Sequence, residues 1–90
     1  MTSPPVLVIV RTRDPHRQAE ALRAALGLTL RGSRVEVVIE ASGEVDAALA
    51  TPLARRAADT LRSFGHPVGA LAGDALAAAL ARAGRVEVWT

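Results

Sequence analysis

Apolar runs alternate with helical patterns along the first third of the chain. The continuous apolar run Val6–Val10 follows two prolines and predicts a strand buried on both faces of a sheet. Asp14-Pro15 then supplies an N-cap and a proline for the first helical turn, and apolar residues recur at helical spacing up to about residue 30. Gly32 predicts the end of this helix, and Gly27 marks a position where it bends or ends early.

The middle of the chain repeats this order. Val35–Glu40 predicts a second strand, and because its second face carries glutamates we expect it to be less buried than the first. After a loop and a short helical turn within Val45–Ala50, Thr51-Pro52 begins a second helix that ends at Gly65. The apolar stripe predicted for this helix consists of Leu53, Ala57, Leu61 and Phe64.

The last third predicts another strand, helix and strand. Val68–Leu71 is a short candidate strand, a third helix runs from Gly73 to Ala83, and Val86–Trp89 is a final strand at the edge of the sheet. The order β-α-β-α-β-α-β indicates a mainly parallel sheet of about four strands with helices on its faces. The sequence thus predicts one α/β domain over residues 1–90, a three-layer α/β/α sandwich of the flavodoxin or Rossmann type.

Composition limits the chemistry that the chain can perform. Half of its 90 residues are hydrophobic, but many of these are alanine and the only aromatic residues are Phe64 and Trp89. A core of this size is marginal, which favours a subunit interface. The chain has no cysteine and only two histidines, so thiolate chemistry is excluded and we expect neither a metal nor a cofactor. It also lacks GxGxxG, P-loop, GxSxG and HExxH motifs, so we predict no catalytic residues and no enzyme.

Charge and hydropathy exclude two classes of partner. All basic residues are arginine, and the net charge of +2 is too small to indicate a nucleic-acid surface. The arginines of the second predicted helix, Arg55, Arg56 and Arg62, lie beside Asp59 and are typical of a solvated face. The N-terminal apolar run has five residues, too few for a signal peptide or a membrane span, so we expect a cytoplasmic protein that does not bind membranes.

Basic residues cluster after the first predicted strand. Ligands of open α/β sheets bind beyond the carboxyl ends of the strands, and a helix begins here. An anion-binding site is therefore one interpretation, and its candidate residues are Arg11, Arg13, His16 and Arg17. The alternative is a solvated loop in which Asp14 caps the helix and the arginines pair locally.

Two other groups of polar residues have simpler interpretations. Glu40, Glu44 and Asp46 follow the second strand and contain the oxygen ligands that Mg²⁺ prefers, but their spacing is also common in polar loops, which we favour. His66 lies between Gly65 and Pro67, where we predict a turn rather than a ligand.

Two segments resemble a known family. The segment from Glu20 to Val38, which contains the run Ala25-Leu26-Gly27-Leu28-Thr29-Leu30-Arg31-Gly32, resembles the first helix and second strand of the DsrE/DsrF/DsrH-like sulfur-relay family. The segment Val68-Gly69-Ala70-Leu71-Ala72-Gly73-Asp74 is similar to a late strand-to-helix turn of its smallest, TusB-type members. The resemblance implies a small α/β subunit that forms oligomers and whose active relatives carry a persulfide on a loop cysteine. This chain, which has no cysteine, would be a non-catalytic member.

The sequence leaves two hypotheses of different kinds. In the first, the chain is a non-catalytic subunit that pairs with itself, or with a cysteine-bearing relative in a sulfur-relay complex, through the last strand and the alanine-rich third helix. Its interface candidates are Trp89, Val88 and Val86, with Trp89 either an interface anchor or part of the chain's own core. In the second, the chain is a small module that binds an anion or nucleotide through the arginine-rich loop.

Overall fold

The computed structural model describes residues 3–40, 48–70 and 72–90 of the chain. Four strands and three helices alternate in these ranges. The strands are β1 (Val6–Val10), β2 (Val35–Ile39), β3 (Val68–Gly69) and β4 (Arg85–Trp89). The helices are α1 (Pro15–Leu30), α2 (Pro52–Ser63) and α3 (Gly73–Arg82). None of the helices in the described ranges has the length and hydropathy needed to cross a membrane.

The four strands form one fully parallel sheet in the order β3-β2-β1-β4. Strand β1 lies between β2 and β4, as its unbroken apolar sequence predicts, and β4 lies at one edge with β1 as its partner. This order is that of the first four strands of a Rossmann-type sheet and differs from the flavodoxin order. The predicted α/β sandwich with a parallel sheet is therefore confirmed, with its strand order now defined.

Helices cover the two faces of the sheet unequally. α1 and α2 pack on one face, where the larger core cluster includes Leu22 of α1 and Leu61 of α2. Among the described residues, α3 is the one helix on the other face, and its cluster is small: Leu7, Val38 and Ala79 are buried, and Ile9, Leu76 and Ala83 pack around them. The α3 face consequently leaves apolar surface exposed near the β4 edge.

Local sequence explains where the first two helices begin and end. Each follows a capping residue and a proline, Asp14-Pro15 for α1 and Thr51-Pro52 for α2, and both caps accept hydrogen bonds from backbone N–H groups of the first turn. Gly32 and Gly65 follow the helix ends with φ of 87° and 86°, a conformation that costs glycine little. α1 continues through Gly27 to Leu30, so the early end predicted there is wrong, while the alternative of a bend stays a prediction.

Two predictions about burial differ from the structure. In the stripe predicted for α2, Leu61 is buried and Ala57 packs against the core as expected, whereas Leu53 is 55% exposed and Phe64 is exposed at the C-cap. Ala54 and Ala58 are buried with Leu61 in the larger core cluster, and the three share one stripe of α2. β2 is not less buried than β1: four of its five residues are buried against three in β1, and Val38 on its predicted polar face is buried under α3.

Small differences affect the other boundaries. β3 ends at Gly69, two residues before the predicted end, and β4 begins at Arg85. Half of the helical turn predicted within Val45–Ala50, residues 45–47, lies outside the described residues.

Candidate functional site

The loop after β1 lies at the carboxyl edge of the sheet, next to the end of β4. The backbone N–H groups of Arg11 and Thr12 donate to the carbonyl of Trp89 at 2.8 and 3.1 Å. β1 is followed by a helix on one face of the sheet, and β4 is reached through the helix on the other face, so the chain changes direction between these two strands. Ligands of open α/β sheets bind at such a point.

The N-terminus of α1 is capped by the chain's own carboxylate. Asp14 Oδ1 accepts from the backbone N–H groups of His16 at 2.8 Å and Arg17 at 3.2 Å. The Asp14 N–H in turn donates to Thr12 Oγ1 at 3.1 Å. Asp14 thus occupies the position that an external anion would take at this helix.

The four predicted anion-binding residues have separate surroundings. Arg11 Nε donates to Glu40 Oε2 at 2.6 Å, while Arg17 Nε donates to the Thr90 carbonyl at 2.7 Å. His16 is exposed, and its Nε2 lies 3.6 Å from Oε1 of Glu20, one helical turn later. Arg13 is also exposed. Within the described residues, no hydrogen bond or ion pair joins the side chains of any two of the four.

Gln18 was not singled out by the sequence, yet it is the one buried polar side chain among the described residues. Its amide nitrogen donates to the carbonyls of Thr12 at 3.1 Å and Ala48 at 2.9 Å, and its amide oxygen accepts from the N–H of Ala50 at 3.0 Å. Gln18 therefore connects the loop after β1 to the segment before α2. One sequence signal could have identified Gln18 as buried: it lies three residues before Ala21, on the stripe of α1 that faces the core.

An open groove lies at the same edge of the sheet, on the face covered by α3. Its volume is about 450 Å³. The apolar part of its lining comes from all three neighbouring strands and from α3, and the ion pair of Arg11 and Glu40 is the charged part. The lining residues are Ile9, Arg11, Val38, Glu40, Ala72, Gly73, Leu76 and Val88.

The edge strand β4 presents different side chains to the two faces of the sheet. Trp89 points to the α1 face, where it packs against the larger core cluster, and the Arg17 guanidinium lies 5.4 Å from its ring centroid. Val86 and Val88 lie beside Leu7 and Ile9 on the α3 face and are 41% and 51% exposed. Of the three interface candidates, these two valines are the most exposed, and Trp89 is partly buried.

The other candidate ligands are placed only in part. Glu44 and Asp46 lie outside the described residues, and within those residues no three His, Asp or Glu side chains are grouped to hold a metal ion. His66 Nδ1 accepts from the Val35 N–H at 3.2 Å, so this ring supports the start of β2. Arg62 is exposed, as are Arg55 and Arg56 on the predicted solvated face of α2, and its guanidinium bridges Asp59 and the Val68 carbonyl.

Comparison with protein-family models, with curated proteins and with solved structures found no match to this chain. The resemblance to the sulfur-relay family accordingly stays a prediction from the two sequence segments that carry it.

Proposed function

We propose that this chain is a non-catalytic subunit that self-associates by pairing the open edge of β4 with β4 of a second copy. The proposal is carried by the exposed apolar surface of an edge strand. Val86 and Val88 are both more than 40% exposed, and Leu80 of α3, on the same face of the sheet, is 42% exposed. An edge strand with exposed apolar side chains readily pairs with another strand.

The backbone of β4 has hydrogen-bonding groups available for this pairing. Successive residues of a strand direct their N–H and C=O groups alternately to the two sides. Because the Trp89 carbonyl accepts from the β1 side, the backbone groups of Val86 and Val88 face the open edge. Two copies related by a two-fold axis would form antiparallel hydrogen bonds between Val86 and its counterpart.

Charge selects one register for the antiparallel pair. Arg85 and Glu87 lie on the same face of β4 and form an ion pair within one chain. When Val86 lies opposite Val86 of the second copy, each Arg85 lies opposite a Glu87, and the four charges alternate in sign. A shift that centres the pair on Glu87 places two carboxylates directly opposite, which is destabilising, and a shift that centres it on Val88 places Glu87 opposite Trp89 and leaves Arg85 with no opposite charge. The alternating register is therefore the one we propose.

The resulting dimer would have a continuous eight-stranded sheet. A two-fold axis perpendicular to the sheet keeps the two α3 helices on one face, so each Val86 covers its counterpart on that face.

The hypothesis of an anion site around Arg13, His16 and Arg17 has less support. Asp14 already accepts from the backbone N–H groups of His16 and Arg17 at the start of α1, where an anion would bind.

A cysteine-bearing relative is the alternative occupant of this edge. The sulfur-relay resemblance implies such a partner, and a strand of the same fold would meet the same backbone groups of β4. The register argument favours a second copy, because the Arg85 and Glu87 pattern complements itself across a two-fold axis.

Light scattering coupled to size-exclusion chromatography tests the proposal. We expect the purified chain to have twice its monomer mass of 9.4 kDa. Val86→Lys places two ammonium groups opposite each other at the axis and should give the monomer mass, while Val86→Thr, which keeps the β-branched shape, should stay dimeric. A wild-type monomer at all concentrations, or an unchanged mass for a folded Val86→Lys variant, would refute the proposal.

A further inference from the structure

The groove on the α3 face has an apolar floor. Ile9 of β1 and Val38 of β2 point from the sheet toward Leu76 of α3, and Val88 of β4 lies on the open side. The volume of about 450 Å³ lies within the range of roughly 300–1,000 Å³ that is usual for small-molecule sites. The groove also lies beyond the carboxyl ends of β1 and β4, where the direction of the chain changes.

One end of the groove carries a cation and an anion side by side. Arg11 follows β1 and Glu40 follows β2, both in the phase that directs side chains to the α3 face, and both side chains are 58% exposed. Their single hydrogen bond, from Arg11 Nε to Glu40 Oε2, uses one of the five N–H donors of the guanidinium and one of the two carboxylate oxygens. Each group retains hydrogen-bonding capacity for a ligand.

We propose that this groove binds a free α-amino acid with an apolar side chain. The ligand carboxylate would accept hydrogen bonds from the two terminal nitrogens of Arg11, and its ammonium group would donate to Glu40. The two charges of an amino acid are separated by one carbon, which matches two opposite charges in direct contact. The apolar side chain would lie on the floor formed by Ile9, Val38 and Leu76.

Charge complementarity separates this ligand from simpler ones. A lone anion would gain from Arg11 but would be repelled by Glu40, and a lone cation would meet the reverse. A neutral apolar molecule would fill the floor without satisfying either charged group. A peptide terminus supplies only one of the two charges, because its other backbone group is an amide.

A titration of nitrogen-15 labelled protein with leucine, followed by two-dimensional NMR, tests the inference. NMR suits the weak affinity expected of a site with exposed charges, and it locates the bound ligand. We expect saturable shifts at low millimolar leucine that include the amides of Arg11, Glu40 and Gly73. Leucinamide, which lacks the carboxylate, and N-acetylleucine, which lacks the ammonium group, should each bind about tenfold more weakly because one charged hydrogen-bonding group is lost.

Three variants define the contribution of each charge. Arg11→Gln and Glu40→Gln should each weaken leucine binding about tenfold. Arg13→Gln is the matched control, because Arg13 is an exposed arginine of the same loop that does not line the groove. Absence of saturable binding to the folded wild type, equal affinity for leucine and its two analogues, or unchanged binding by the Arg11 and Glu40 variants would each overturn the inference.

The inference is separable from self-association. Neither Arg11 nor Glu40 lies on the edge strand, so both variants should keep the native mass of the wild type. Leucine binding by a monomeric protein would refute the dimer and support the amino-acid site. A dimer that binds no leucine would support the dimer and refute the amino-acid site.

Discussion

Replacement of Gln18 by methionine tests how the carboxyl edge of the sheet is held together. The Gln18 side chain is 2% exposed and makes three hydrogen bonds, to the backbones of Thr12, Ala48 and Ala50. Methionine has a similar length and volume and fills the same space, but it donates no hydrogen bond and is a poor acceptor. The substitution therefore removes these bonds while leaving the packing nearly unchanged.

The expected cost follows from the number of bonds. Each neutral hydrogen bond contributes about 1 kcal/mol to stability, so the loss of three costs about 3 kcal/mol. A chain of 90 residues has a free energy of unfolding of about 5–13 kcal/mol, so this is a large fraction of the total. The midpoint of thermal unfolding should fall by at least about 12 °C.

Urea denaturation, monitored by the fluorescence of the single tryptophan, measures the change directly. Arg23→Met is the matched control, since it introduces the same side chain at an exposed position of α1 and should change stability by less than about 0.5 kcal/mol. A loss below about 1 kcal/mol for Gln18→Met would refute the reasoning, because it would mean that water replaces Gln18 without the penalty expected for three lost hydrogen bonds.

Two pairs of substitutions test the interpretation of the core and the helix cap. Leu61→Ala should lower the free energy of unfolding by about 2–5 kcal/mol because Leu61 is fully buried between α2 and the sheet, whereas Leu53→Ala should have little effect. Equal losses of stability in urea denaturation would contradict the observed phase of α2. Asp14→Ala should lower the free energy of unfolding by about 1 kcal/mol because it removes the N-cap of α1, and Asp14→Asn should retain most of that stability. An Asp14→Ala variant as stable as the wild type in the same assay would show that the cap is not needed.

Much of the architecture was predictable because local signals agree with it. The cap-plus-proline pairs place the starts of α1 and α2, and the unbroken apolar run Val6–Val10 identifies the central strand. The caps and prolines act through the local backbone, and an unbroken apolar run requires cover on both faces whichever helices supply it. The edge position predicted for β4 is confirmed as well.

The errors arise where a distant partner decides the outcome. The predicted stripe of α2 follows its bulky residues, but the core takes up Ala54 and Ala58 beside Leu61, and Leu53 and Phe64 are exposed. The glutamates of β2 predict a strand less buried than β1, yet the Glu36 side chain is largely covered and forms an ion pair with Arg82 of α3 at 3.0 Å. Neither the packing of α2 nor the ion pair of Glu36 is evident from the local sequence.

The candidate site was predictable in position but not in composition. The sequence placed it at the carboxyl end of β1, where the groove does lie. It grouped Arg11 with Arg13, His16 and Arg17 because they are close together in the chain. The structure instead places Arg11 beside Glu40, which is 29 residues away in sequence. The alternation of side chains after two parallel strands produces this pair, and their register is not encoded locally.

A charge-reversal experiment tests the proposed β4 pairing most directly. Arg85→Glu leaves two negative charges on β4 and Glu87→Arg leaves two positive charges, so each variant alone should be a monomer in light scattering. In an equimolar mixture the negative β4 of one variant would lie opposite the positive β4 of the other, with opposite charges facing each other at both positions. We therefore expect the mixture to form a heterodimer of twice the 9.4 kDa monomer mass. Folded variants that stay dimeric alone, or that stay monomeric when mixed, would contradict the account.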